Sequence, residues 1–237
     1  MVRPRWYSLL LLAIALAGFG SAAHWQWRRA EFKDAREQAF RAVLKDGDAP
    51  ALDQLLTRLS DAEFALVELD ARLDRRRLLL LDNQVHHGVV GVKVYAPLHT
   101  NTGQALLLDL GFVARPDRRY PALIPDLPAR IRGLALLMPA PAAGLRLGDP
   151  AALEAARYPL LLNRIEPVEL RRLLALPELS ASVLRLAPDP ASGFVREWAL
   201  PGLSAERHRG YALQWASFAI ASLVLFAFVH HPRRKSP

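Results

Sequence analysis

The sequence predicts an α+β protein, with two transmembrane helices flanking one extracytoplasmic domain that holds a mainly antiparallel β-sheet and short helices. Three observations predict it. Two runs without a formal charge, residues 6–23 and 210–229, are eighteen and twenty residues long. At about 1.5 Å per residue each covers close to the roughly 30 Å of a bilayer core. The chain carries a net charge of +8, yet all 23 acidic residues lie between the two runs, while Arg3, Arg5, Arg233, Arg234 and Lys235 lie outside them. Between the runs, short apolar stretches alternate with turn residues, as strands do.

The charge distribution excludes more than it suggests. With those five cations set aside, 26 basic residues face 23 acidic ones in the middle region, a balance of +3. The excess is a topology signal and not a nucleic-acid footprint. It places residues 1–5 and 230–237 in the cytoplasm and residues 24–209 outside it, as a periplasmic domain of a two-pass protein of the inner (plasma) membrane. Cysteine is absent. That removes disulfides, thiolate metal sites and a cysteine nucleophile.

In chain order, the first apolar run has two readings. Ser21-Ala-Ala23 has the small residues of a signal-peptidase site. Against this, Trp6, Tyr7, Trp25 and Trp27 frame the run as interfacial aromatics frame a span. Ala13, Ala17 and Ser21 make a small-residue stripe, and Ala212/Ala216 and Ser217/Ala221 repeat that spacing in the second run. Such stripes let two helices approach closely. A charged helix follows to about Lys45, then a short one over 51–59. Strands are expected at 64–69, 77–82, 89–98, 105–113, 131–138, 160–165 and 183–186, with 89–98 and 105–113 paired through the turn-rich His99-Thr-Asn-Thr-Gly103. Proline opens further short helices at Pro150 and Pro167. Residues 139–144 and 187–202 read as loops.

Catalytic signatures are missing: the chain has no nucleophile elbow, no P-loop and no HExxH helix. An enzyme is not indicated. No metal site is expected either: His86 and His87 are adjacent, neighbouring side chains on a strand point to opposite faces, and a surface or turn role suits them better. Asp82 and Asp109 stand alone near strand ends.

The start of the second span is the exception. His208, Tyr211 and Trp215 fall at i, i+3 and i+7, one face of a helix. Gln214 beside them lies deeper than an amide normally goes and calls for a partner. A histidine there is either an axial haem ligand or an interfacial side chain within an aromatic belt. His24 ends the first span at the same level, so both imidazoles could face one site.

Several stretches carry a resemblance. Trp25-Gln26 with Arg29 and Lys33 follows the first span. Leu79-Leu-Leu-Asp-Asn83, His87-Gly88, Gly91-Val-Lys-Val-Tyr-Ala-Pro-Leu98 and Leu108-Asp-Leu-Gly-Phe-Val113 lie in the middle, and His208-Arg-Gly-Tyr-Ala-Leu-Gln-Trp215 closes the chain. Together they resemble the Surfeit-locus-one family, assembly factors for haem-copper cytochrome c oxidase. The resemblance implies a membrane-anchored, non-enzymatic chaperone that aids haem a insertion into oxidase subunit I, with haem A synthase as a second partner beside the lipid bilayer, and no nucleic acid. It implies a transient haem a site with His208 as ligand, shaped by Tyr211, Trp215, Gln214, Trp25 and Gln26; His24, added to the site for its level in the first span, falls at a position that varies in the family. Arg207 stands where the family usually has Asn, and Leu110-Gly-Phe112 where Arg-Gly-Trp is usual. The alternative reading is a cofactor-free membrane scaffold for another respiratory complex.

Overall fold

The computed structural model describes residues 5–58, 64–115, 124–141, 157–200 and 202–231. The expected helix opening at Pro150 lies outside them, as do both ends of the chain and residues 142–144 of the 139–144 loop. The described chain divides into two compact units: residues 1–40 with 201–237, and residues 41–200.

The first unit is a pair of helices. Helix α1 spans Trp6–Asp46, 41 residues without a break. The expected span and the charged helix after it are thus one element of about 60 Å. No proline interrupts it, and Gly18 and Gly20 sit within an otherwise strong helix-forming run. The final helix, α4, spans Ala205–His230. Its N-cap is Ser204, whose hydroxyl accepts the Arg207 amide, satisfying one of the donors that a helix start leaves open. Both helices are long and apolar enough to cross a membrane, as two-pass insertion requires.

The second unit is a sheet domain. A short helix α2, Leu52–Arg58, precedes strands β1 (Ala65–Leu73), β2 (Leu79–His86), β3 (Val89–His99), β4 (Ala105–Ala114) and β5 (Arg130–Pro139). Then come β6 (Leu160–Leu162), helix α3 (Pro167–Leu173) and β7 (Leu179–Leu186). The strand order is β1-β5-β7-β4-β3-β2-β6, with an added β1–β3 pairing. That pairing, Arg72 with His99 and Leu73 with Leu98, closes β1, β5, β7, β4 and β3 into a ring, and β2 and β6 extend from β3. Only β4–β7 and β2–β6 are parallel, so the mainly antiparallel expectation holds. Ring closure was not expected. It arises because β3 is eleven residues long, enough to pair with β2 along its first half and with β1 at its last two residues.

Every second residue of the ring strands points inward. Val67, Leu69, Ala71, Val92, Val94, Ala96, Leu106, Leu108, Leu110, Leu184 and Leu186 are all buried in this core, following the period of two. The outer face is buried too over β3, β4 and β7: Tyr95, Leu107 and Val183 are almost wholly inaccessible. A register shift falls where Val94 pairs with Gly111 and Tyr95 with Asp109, leaving Leu110 as the extra residue. Gly111 has φ +123 at this bulge, a conformation that a side chain resists. Beyond the bulge the alternation inverts, so Phe112 lies on the outer face, where its backbone pairs with Val195.

Candidate functional site

The two long helices run antiparallel along a heptad-like seam. On α1 the less exposed positions include Leu12, Ala15, Leu16, Phe19, Ala22, Ala23, Gln26, Ala30 and Lys33; on α4 they include His208, Ala212, Trp215, Ala216, Ala219, Ser222 and Phe226. Spacings of three and four recur along both helices, as in knobs-into-holes packing. The stripe expected from small residues is not this seam. Ala13, Ala17, Ser21, Ser217 and Ala221 are exposed. Only Ala212 and Ala216 of the predicted set lie in or beside it.

His208 sits in the first turn of α4 and is 7% exposed. Its Nδ1 lies 2.7 Å from Gln26 Oε1. An amide oxygen accepts only, so the ring donates from Nδ1, and the neutral imidazole keeps its lone pair on Nε2. One heptad further along, the Trp215 ring stacks on Phe19 at 5.8 Å, and Phe218 closes the group at 5.7 Å from both. Arg209 donates to Asp34 just outside the seam.

Of the seven sequence-predicted residues the structure brings together His208, Gln26 and Trp215. The others are placed differently. Tyr211, 43% exposed, flanks the seam, since i+3 turns it about 60° from His208. Gln214 is exposed on another flank of α4, and the amide that meets a partner is Gln26 instead. Trp25 is 60% exposed, which suits an interfacial anchor. His24 is exposed as well. Two residues of helix place it about 200° round from Gln26, so it does not share a face with the residue that meets His208.

The donor chemistry fits a haem axial ligand. Metal-bound histidines ordinarily give their other ring N–H to an oriented acceptor, and Gln26 is such an acceptor. Beside this pair α1 carries Arg28, Arg29, Lys33 and Arg36. The Lys33 amine is held below its ordinary 10.5 by partial burial first, then by Arg29 and Arg36. This collar of cations suits anionic headgroups or carboxylates.

Sequence reasoning missed two clusters in the sheet domain. Asp109, expected to stand alone, is 3% exposed; one carboxylate oxygen accepts from Lys93 Nζ at 3.0 Å, and Arg185 Nε lies 3.2 Å from the same oxygen as an ion pair without a hydrogen bond. Its other oxygen accepts the Gly111 amide at 3.1 Å, and Arg185 also donates to Ala199 O at 3.0 Å. Tyr95 is buried beside them. Burial first, then the Asp109 charge, holds its hydroxyl well above the ordinary 10.0, with Arg185 opposing less strongly. The available signal was polar residues 93, 95, 109 and 185 within mostly apolar strands. The second cluster involves the adjacent histidines. The turn role expected for them holds at His87, which occupies the β2–β3 turn at φ +47, followed by Gly88 at φ +80, the two positive values of a type I′ turn. Alternation stops there, and the rings of His86 and His87 meet at 4.3 Å.

A family model described as the SURF1 family matches residues 13–220. No curated protein matches the chain.

Proposed function

This chain belongs to the SURF1 family, a family of cytochrome oxidase assembly factors, and from that premise we propose that it aids haem a insertion into subunit I of a haem-copper oxidase. The observation that supports this reading is the His208–Gln26 pair. A bound haem a would supply the iron centre that is handed on. His208 would hold it through Nε2, while Gln26 fixes the tautomer and the ring plane through Nδ1. Trp215, stacked on Phe19, holds the two helices together a heptad deeper, and Tyr211 and Trp25 face outward at the level where lipid ends. The two helices anchor the chain in the inner membrane with both termini cytoplasmic. The sheet domain lies on the periplasmic side and docks on the nascent subunit, and haem A synthase delivers the cofactor. The chain makes and breaks no bonds in this role, which is that of a chaperone.

A second reading has its own support. His208 is nearly enclosed by the seam, and a buried imidazole hydrogen-bonded to an amide is also a sound way to fix the register of two helices. In that case the protein is a cofactor-free scaffold.

The test is a reduced-minus-oxidised difference spectrum of membranes from a strain lacking this gene, beside wild type. The a-type signal should be lost while b- and c-type signals persist. An unchanged spectrum overturns the oxidase role. Purified His208→Ala protein then separates the two readings: haem present in the wild-type protein is lost if His208 is a ligand, whereas a scaffold carries no haem in either protein and loses only helix register and stability.

A further inference from the structure

We propose that His86, His87 and Glu197 form a binding site for one borderline divalent transition-metal ion, of the Zn2+ and Cu2+ class, at the tip of the β2–β3 hairpin. One ligand atom from each of the three lies within 4.8 Å of the others. His86 Nδ1 is 3.8 Å from Glu197 Oε2. In tetrahedral zinc sites, bonds of about 2.0–2.1 Å place ligand atoms roughly 3.3 Å apart. Each side chain therefore needs to close by the order of an ångström, and rotation of the exposed His87 and Glu197 side chains supplies it.

Three features make this a built cluster and not a chance meeting of surface groups. The type I′ turn places His87 beside His86 when a continued strand would have sent it to the opposite face. Glu197 comes from a segment more than a hundred residues away, and its neighbours are pinned to the sheet. Val195 exchanges both backbone hydrogen bonds with Phe112, at 2.8 and 2.9 Å. Arg196 Nε donates to Leu110 O at 2.8 Å, and Trp198 Nε1 donates to Leu186 O at 3.0 Å. Between these anchors Glu197 has little backbone freedom and points out toward the hairpin. The Phe112 ring, 5.5 Å from the His86 ring, backs the site with an apolar wall.

The ligand set selects the ion. Imidazole and carboxylate suit Zn2+ and Cu2+, and the absence of thiolate or thioether disfavours Cu+. Three protein ligands leave at least one coordination position open, so the ion is exchangeable and not locked in. This site belongs to the sheet domain and stands independently of the haem reading.

The experiment uses the full chain, purified in detergent without a polyhistidine tag and stripped with chelator. Zn2+ alone is titrated calorimetrically, and Cu2+ alone is followed by electron paramagnetic resonance. One equivalent of either ion should bind, with nitrogen hyperfine structure in the Cu2+ spectrum. Glu197→Gln and His87→Asn should each weaken binding by about tenfold or more. Both variants keep the fold: glutamine has the shape of glutamate, and asparagine favours the positive φ of a type I′ turn. Their metal-free unfolding temperatures should match wild type. Failure of wild type to bind stoichiometrically overturns the proposal, as does binding that survives both substitutions. Binding lost instead in His230→Ala/His231→Ala overturns it too.

Discussion

His208 Nδ1 and Gln26 Oε1 meet at 2.7 Å although 182 residues separate them in the chain. The pair recurs in register with the Phe19–Trp215 stack: Gln26 is seven residues beyond Phe19, and His208 seven before Trp215. Two antiparallel helices that match rungs over a heptad are locked against sliding as well as rotation. The polar rung and the aromatic rung therefore specify one alignment of the membrane unit.

Removing the polar rung should be costly. Gln26→Leu leaves the His208 Nδ1–H buried without an acceptor, a loss of about 1–3 kcal/mol. The expected outcome is an earlier unfolding transition of detergent-solubilised protein, with Trp25→Leu as the control that changes little, because Trp25 is exposed. Equal behaviour of the two variants would remove the pair from the account of helix alignment.

The aromatic rung should show energetic coupling. In a double-mutant cycle with Phe19→Leu and Trp215→Leu, stacked rings contribute about 0.5–1.5 kcal/mol beyond the area they bury. The double variant should be less destabilised than the sum of the two singles by about that amount. Strict additivity would show that the rings are neighbours without being partners.

The difference between what the sequence shows and what the fold adds has a physical basis. Strands β3 and β4, the hairpin between them and both spans follow from local pattern, because period and turn chemistry are properties of adjacent residues. His208 and Trp215 were visible as unusual residues at a span boundary, and Gln26 only through the family resemblance. Which residues face the partner helix was not, since that depends on the rotation of two helices about each other, and small-residue spacing pointed to the wrong side. Asp109 looked isolated because its partners Lys93 and Arg185 come from strands β3 and β7. Only the sheet order brings them together. The turn role expected for the adjacent histidines holds at His87, but the meeting of the two rings depends on one backbone angle, its positive φ, which local pattern does not give.

The Asp109 cluster should act as a stability keystone of the sheet domain. Asp109→Leu leaves Arg185, 9% exposed, without its anion, and removal of one partner from a buried pair costs about 3–5 kcal/mol. Lys93 is better solvated at 27% exposure and adds less. Chemical denaturation of the full chain should show the loss. The paired substitution Asp109→Leu with Arg185→Met should recover much of it, because no charge then remains unpaired in the interior. A double variant as unstable as the single would indicate that packing, and not charge, sets the cost.

Tyr95 offers a reading of the same cluster at alkaline pH. Its hydroxyl is held well above the ordinary tyrosine value of 10.0, first by burial and then by the neighbouring Asp109 carboxylate. In the unfolded chain the phenol ionises near 10.0. Below that pH both states keep the proton and stability does not vary with this group. Above it the unfolded state releases the proton while the folded state retains it, so folding stability falls as pH rises from about 10 toward the folded-state value. In an ultraviolet titration, one of the chain's five tyrosines should resist ionisation until the domain unfolds, and its absorbance change should coincide with the loss of tertiary signal. Tyr95→Phe should flatten that part of the stability–pH curve and leave the neutral-pH fold intact. Ionisation of all five tyrosines before unfolding would show that the Tyr95 hydroxyl reaches solvent.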